Sequence, residues 1–290
     1  MKILNFGSCC IDNVYSLPHF VQPGETLLST DFNVFPGGKG LNQSIALAHA
    51  GAEVQHAGKV GADGEWLKAL LQVSGVDESR LKVVDGPSGH ANIQVSASGE
   101  NAIVIVGGTN RLITPEDFDD AFSGVNPGDF LLLQNEVSHM PDIIKKGHQR
   151  GLRIVFNAAP MTTEVLDFPL ELIEILIVNE TEAAAILNLP ISDQLDEALA
   201  RRFPEMKIVL TLGESGAVYR HGIESIKQSA FPVKAIDTTG AGDTFTGYFL
   251  AALMREETIQ NCLEEACRAS SISVTRPGAA TSIPKRSELA

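Results

Sequence analysis

Short apolar runs separated by helix-length segments recur along this chain, and no other feature restricts its possible folds as strongly. Runs of strand length occupy residues 2–6, 54–60, 130–133, 152–156, 175–178 and 208–212. Between them, residues 41–50 have helical composition and stop at Gly51, 65–73 form an amphipathic pattern ending before Gly75, and 141–150 stop at Gly151. Residues 181–187 and 194–202 predict two further helices. Strands separated by helices of this size are joined by parallel crossovers. The expected fold class is therefore α/β, an open, mostly parallel sheet covered by helices on both faces.

One region breaks the rhythm. Residues 91–96 alternate apolar and polar, 97–100 read as a turn, and 101–106 continue as a second strand, which together predict a β-hairpin. A second alternating stretch, 26–35, precedes a Pro36-Gly37-Gly38 turn. Two antiparallel pieces inserted into a βαβ chain predict a small β-sheet lid over the carboxyl edge of the main sheet. We expect one domain over 1–290, with the lid built from segments at about 13–35 and 88–108. The polar tail, 285–290, is expected to fray.

Charge narrows the function. With 22 Lys+Arg against 36 Asp+Glu the formal net charge is −14, a poor match to nucleic acid or to an anionic membrane surface. No apolar run is long enough to span a bilayer, and the first residues carry no secretory pattern. The four cysteines, Cys9, Cys10, Cys262 and Cys267, fit neither a disulfide framework nor zinc-ligand spacing and read as buried small hydrophobes in a cytoplasmic protein.

No phosphate-binding G-x-x-x-x-G-K-[ST], no G-x-G-x-x-G after a strand, no H-E-x-x-H and no G-x-S-x-G is present. The strongest positive feature is Gly240-Ala241-Gly242-Asp243 leading into an apolar helical run, 245–254. It sets free backbone N–H groups at a helix N-terminus, where the dipole favours an anion. Asp243 in that first turn reads either as a helix-end acid worth under about 1 kcal/mol or as a general base beside an anion hole. A second feature is Gly37-Gly38-Lys39-Gly40-Leu41-Asn42-Gln43. Its glycines permit close backbone approach, and Lys39 and Asn42, one helical turn apart, point the same way; the plainer reading is a turn with a solvated lysine. A third is Asn179-Glu180-Thr181-Glu182 after a strand, which is both a capping box and a polar group at the carboxyl edge where ligands bind.

These segments, in this order, together with Gly7-Ser8, Asp12, Pro23-Gly24-Glu25-Thr26, Thr211-Leu212-Gly213 and Val274-Thr275-Arg276, resemble the ribokinase-like (PfkB-type) carbohydrate kinases over nearly the whole chain. The resemblance implies ATP-dependent transfer of a phosphoryl group to a primary hydroxyl of a free sugar, with ribose the leading acceptor. It implies Asp243 as catalytic base and Gly240, Ala241 and Gly242 as the anion hole. It assigns sugar contacts to Asp12, Gly38, Lys39, Asn42 and Glu136, and lid contacts to Ala91, Ile93 and Ile105. Asn179 and Glu182 fall near Mg²⁺ and the ATP phosphates, Glu182 acting on the metal indirectly. Thr211, Gly213 and Gly216 line the nucleotide side. Asp237, Thr239, Ser273, Gly278 and Ser282 match a loop set that binds an activating K⁺. A homodimer paired through the lids is also implied.

Two departures bear on the acceptor. Ribokinases typically carry Asn two residues before the sugar-binding Asp; here it is Cys10, whose thiol is a weak donor. His90, Asn92 and Gln94 make the lid unusually polar, and by alternation they face away from Ala91 and Ile93 toward solvent or a partner subunit. A nucleoside, or a keto-sugar acid meeting Arg111, is the alternative acceptor. A sugar-binding regulator without catalysis is the alternative outside enzymes, and the retained Asp243 argues against it, since binding alone needs no base.

Overall fold

In the central parallel strands nearly every side chain is buried, and this sets the architecture. The computed structural model describes residues 1–289. In chain order its elements are β1 (Ile3–Phe6), β2 (Cys10–Leu17), β3 (Asp31–Gly37), α1 (Lys39–His49), β4 (Val54–Val60), α2 (Glu65–Val73), β5 (Asp77–Val83), β6 (Gly89–Ser96), β7 (Asn101–Val106) and α3 (Pro115–Ala121). They continue with β8 (Phe130–Gln134), α4 (Met140–Gln149), β9 (Arg153–Asn157), β10 (Ile175–Asn179), α5 (Glu180–Leu187), α6 (Leu195–Arg202), β11 (Lys207–Thr211), β12 (Ala217–His221), β13 (Glu224–Gln228), α7 (Ala241–Met254) and α8 (Ile259–Ser273).

The main sheet has nine strands in the order β13-β12-β11-β10-β9-β8-β1-β4-β5. All neighbours are parallel except along β11-β12-β13, where the pairing is antiparallel. The period of two along β8 divides its side chains between the faces. Phe130 and Leu132 join a core with Leu41, Leu67, Tyr248 and Leu263 from α1, α2, α7 and α8. Leu131 and Leu133 join another with Phe118, Ile143, Ile186 and Leu199 from α3, α4, α5 and α6. Each fully buried leucine contributes roughly 1.5–3 kcal/mol. The expected α/β sheet with helices on both faces is the fold observed.

The sequence reading missed β5, β12, β13, α3 and α8. Helix α8 buries its stripe through small residues, Cys262, Ala266, Cys267 and Ala269, which give a weak periodic signal. Strand β12 carries Arg220 and His221 in the antiparallel end of the sheet, beside the edge strand β13, where a continuous apolar run is not required. The tail is anchored rather than frayed. Arg276 meets Glu288 at 2.6 Å and Leu289 packs on the core, while Ala290 lies outside the described residues.

A second sheet has four strands in the order β3-β2-β6-β7. Its outer pairs are antiparallel, as expected, and β2 and β6 join them by running parallel, with Cys10 opposite Gly89, so the sheet as a whole is mixed. The polar string of β2 hid a strand, and residues 26–30 lie outside β3, which begins at Asp31 and runs through Pro36. Proline is tolerated there because β3 is an edge strand. His90, Asn92 and Gln94 do oppose Ala91 and Ile93, yet they bond within the chain. His90 Nδ1 lies 3.0 Å from Ser88 O, Asn13 Nδ2 donates to Asn92 Oδ1 (3.5 Å) and Val21 N donates to Gln94 Oε1 (3.2 Å).

Helices α1 and α7 pass at near backbone contact. A Cβ on Gly247 would stand 2.4 Å from Ala46 Cβ and 2.8 Å from Leu47 N, so no side chain fits without separating the helices. Gly247→Val overpacks this crossing at about 1–3 kcal/mol, and thermal melting is expected to fall by roughly 3–10 °C. An unchanged melting temperature contradicts the close crossing.

Candidate active site

The site grows from the start of α7. Gly240, the residue before the helix, has φ +74°, and a Cβ there would lie 2.9 Å from Ala279 Cβ, so both conformation and space call for glycine. The first-turn N–H groups of a helix lack intrahelical acceptors. Of these, Ala241 N turns back to Thr238 O (3.2 Å), which removes one amide from the four-membered anion hole anticipated over Gly240–Asp243.

Asp243 is only 5% exposed in that turn, and α1 supplies the donors its carboxylate needs. Asn42 Nδ2 donates to Oδ2 (3.0 Å) and Gln43 Nε2 to Oδ1 (2.8 Å). Helix α1 is fixed at its start by Leu41 N donating to Ser8 O (2.8 Å). Lys39, one turn before Asn42, completes the group. Asp243, then Glu136 and Glu182, hold its ammonium above the usual lysine range against the opposing effect of burial. Gln43 stood in the motif without a role. Adjacent residues on a helix point about 100° apart, and its full burial is the signal that composition could not reveal.

Two carboxylates stand at the small-sheet end. Glu136 Oε2 accepts from Lys39 N (2.9 Å) and from Ser8 Oγ, and burial raises its pKa despite those donors. Asp12 on β2 is pushed up to about 6, by burial first and by Glu136 second. Its carboxylate lies so close to Gly37 that a Cβ there would fall 2.2 Å from Oδ2. Ala91 pairs with Asp12 on one side and Ile105 on the other, so these three and Ile93 share one sheet face. Ala91 is buried, whereas Ile105 is 64% exposed and open to solvent. Cys10 is buried with its Sγ 3.4 Å from Asn110 Nδ2, and burial keeps the thiol protonated. Asn110 also grips the Cys9 backbone at both N (3.2 Å) and O (3.0 Å); this role was not visible in the sequence.

On the other side of the α7 turn lies a cavity of about 470 Å³. Thr211, Gly213 and Gly216 line it with Phe231, Val233 and Gly242, giving an apolar slot that meets the amide turn. Asn179 and Glu182 form a reciprocal capping box, with Glu182 N donating to Asn179 Oδ1 (2.9 Å) and Asn179 N to Glu182 Oε2 (3.0 Å). Burial raises the Glu182 pKa even so, while Lys39 works in the opposite direction. The capping box occupies one carboxylate oxygen, so the helix start and the charged site use the same side chain.

Asp237 accepts from Thr239 N (2.9 Å), Thr239 Oγ1 (2.6 Å) and Gly278 N (2.8 Å), which brings these three residues together. Ser273 and Ser282 do not bond to them; their hydroxyls go to Ser270 O (2.8 Å) and Ala279 O (2.8 Å). The loop set is all oxygen, the donor type that hard cations take.

The Asp12 carboxylate has a calculable consequence. A carboxyl with a raised folded pKa stabilises the fold while protonated, below about pH 4, and that contribution is lost as pH rises through about 6. Asp12→Asn is therefore expected to melt several degrees above wild type at pH 8, with the difference vanishing toward pH 4. A difference independent of pH contradicts the assignment.

Residues 1–286 match the model of the pfkB family carbohydrate kinases. The chain is 37% identical over 297 residues to the ribokinase of Bacillus subtilis, covering 99% of this chain and 98% of that protein. Its structure matches that of Cryptococcus neoformans ribokinase in complex with ADP at a TM-score of 0.88 and 34% identity, covering 99% of this chain and 98% of the other. It matches Arabidopsis thaliana ribokinase complexed with ribose and ATP at a TM-score of 0.88 and 28% identity, covering 99% and 97%. With a family model spanning nearly every residue and relatives this alike over their full lengths, the chain belongs to the pfkB family of carbohydrate kinases, phosphotransferases whose acceptor is an alcohol group.

Proposed function

We propose that this enzyme transfers the γ-phosphoryl group of ATP to the primary hydroxyl of ribose, giving ribose 5-phosphate. The observation that carries the reading is Asp243: a buried carboxylate, gripped by two amides, in the first turn of a helix whose amide turn opens onto the cavity. A carboxylate beside a phosphate site is costly unless it acts as a base. Asp243 takes the proton of the attacking hydroxyl, a step that typically contributes about 10²–10⁴ in rate. The amides of Gly240, Gly242 and Asp243 and the Lys39 ammonium stabilise the charge on the transferring group.

Asn42 supports the acceptor side of the reading. Its Oδ1 is buried without a hydrogen-bond partner while its Nδ2 is committed to Asp243, which leaves an acceptor for a sugar hydroxyl. Asp12, Glu136 and the Gly38 backbone complete the polar lining. The small sheet, with Ala91, Ile93 and Ile105 on one face, acts as the lid that excludes water. Asn179 and Glu182 would hold Mg²⁺ through its water shell; when bound, the ion supplies charge neutralisation at the phosphates. The oxygen set of Asp237, Thr239, Ser273, Gly278 and Ser282 would hold K⁺. Four buried, free thiols support a cytoplasmic location.

We also propose a homodimer through the lid. Val104 (63% exposed) and Val106 lie on β7, an unpaired edge, and Phe32 and Val34 are exposed on the same face, an apolar surface that a second copy would cover. Light scattering should give twice the monomer mass, reduced to the monomer by Val104→Lys; a wild-type monomer contradicts the proposal.

The function is tested by coupled ADP release over ribose, deoxyribose, fructose and nucleosides. Ribose is expected to give the highest kcat/KM, and a large organic cation in place of K⁺ to slow the reaction. Asp243→Asn is expected to lose at least about 100-fold in kcat with sugar affinity nearly kept. Turnover equal to wild type in that variant removes the base assignment, and an unchanged rate without K⁺ removes the cation loop.

A further inference from the structure

Beneath α1, the face of the main sheet that should be apolar carries a row of buried polar side chains. Asn5 on β1 and Gln134 on β8 are fully buried, and Asn157 at the end of β9 is 9% exposed. Buried amides are costly unless every atom is satisfied in the right orientation, so the direction of their hydrogen bonds is informative.

The direction is set at both ends by backbone carbonyls, which cannot turn round. Asn5 Nδ2 donates to Gly40 O (2.8 Å) and to Ser44 Oγ (2.8 Å), which leaves its Oδ1 as an acceptor. Gln134 Nε2 answers it, donating to Asn5 Oδ1 (3.0 Å) and to Gln43 Oε1 (2.7 Å). Gln43 must then turn its Nε2 outward, and that group donates to Asp243 Oδ1 (2.8 Å) and to Asn157 Oδ1 (3.0 Å). Asn157 is oriented the same way by its own bond to Ile177 O (3.0 Å). Asn5, Gln134 and Gln43 each present their NH₂ to two acceptors, and Asn157 presents its own to one. A single flip anywhere would set oxygen against oxygen.

We infer that Gln134 is a positioning residue for the reaction: it locks the carboxamide of Gln43 so that an N–H, never the oxygen, faces the carboxylate of Asp243. Asn42 alone would leave Oδ1 free to rotate toward other donors. With both oxygens gripped, the carboxylate keeps one orientation in the site. Gln134 stands on β8, separated from Asp243 by Gln43, and acts only through it. The unpartnered Gln134 Oε1 fits this reading, because the side chain is placed for its two donor bonds and not for its acceptor. The inference rests on Asp243 being the base.

The test is Gln134→Glu, nearly isosteric but acceptor-only when ionised. It draws Gln43 Nε2 toward itself and turns the Gln43 oxygen onto Asp243. The expected result is a fall in kcat of about tenfold or more, with KM for ribose and ATP within about twofold. Gln43→Met, which has no amide to orient, loses kcat by a similar factor, and Gln134→Glu added to Gln43→Met costs no further kcat. A role confined to stability would lower the melting temperature and leave kcat in place. If the carboxylate variant fails to fold, Gln134→Met, apolar and of similar size, carries the same test with a loss of about threefold that is likewise absent in the Gln43→Met background. Wild-type kcat in the folded Gln134 variant, or a loss that adds in full to that of Gln43→Met, overturns the inference. Asp243→Asn runs as the control. If it retains wild-type turnover, the base reading itself has failed; if it is inactive while the Gln134 variants keep full kcat, only the present inference has.

Discussion

Two amide-to-carboxylate hydrogen bonds between α1 and α7 carry the rest of the structure's function. The side chains of Asn42 and Gln43 reach across to Asp243, which is buried. Leaving those donors out would strand a carboxylate away from water, at a cost of several kcal/mol. The geometry needs both helices at a fixed separation. Gly247 lets α7 approach the backbone of α1, and the Ser8 carbonyl fixes the start of α1 over the carboxyl ends of the strands. The nine-stranded sheet therefore does more than bury apolar area; it sets the distance at which the Asp243 carboxylate and its holders meet.

The electrostatics of the site oppose those of the surface. A chain of net charge −14 is a poor host for a polyanion, yet the positive potential here is local. It comes from the amide turn before α7 and from Lys39, which Asp243, Glu136 and Glu182 keep firmly charged. Asp12, Glu136 and Glu182 all have raised pKa values with burial as the leading cause, so the fold keeps them in place at an energetic cost. Polar groups held in unfavourable surroundings mark where binding, and not stability, has set the sequence.

Much of this is legible in the sequence. Apolar runs such as residues 130–133 fixed the strands because parallel strands are buried on both faces, and glycines at 51 and 151 marked helix ends. Asp243 was visible because three small residues precede it at a helix start. What stayed hidden shares one physical reason. Gln43, Gln134, Asn5 and Asn110 act through tertiary burial, and an amide looks the same in a sequence whether it meets water or a carboxylate. Strand β2 was obscured because Asp12 and Asn13 interrupt its apolar pattern, and the sheet became mixed because β2 and β6 reach it from different parts of the chain. Cys10 stands in the sequence as a weak donor in place of an asparagine, and the fold adds that its thiol is buried against Asn110.

The central claim is that the chain transfers the γ-phosphoryl group of ATP to the primary hydroxyl of ribose. The most direct measurement is the proton-coupled ³¹P spectrum of the product formed from ATP and ribose. A phosphate ester on the terminal CH₂ couples to the two protons of that carbon and gives a triplet-like signal, which should grow in step with ADP. A doublet, from an ester on a CH carbon, or inorganic phosphate released without any ester, would contradict the account.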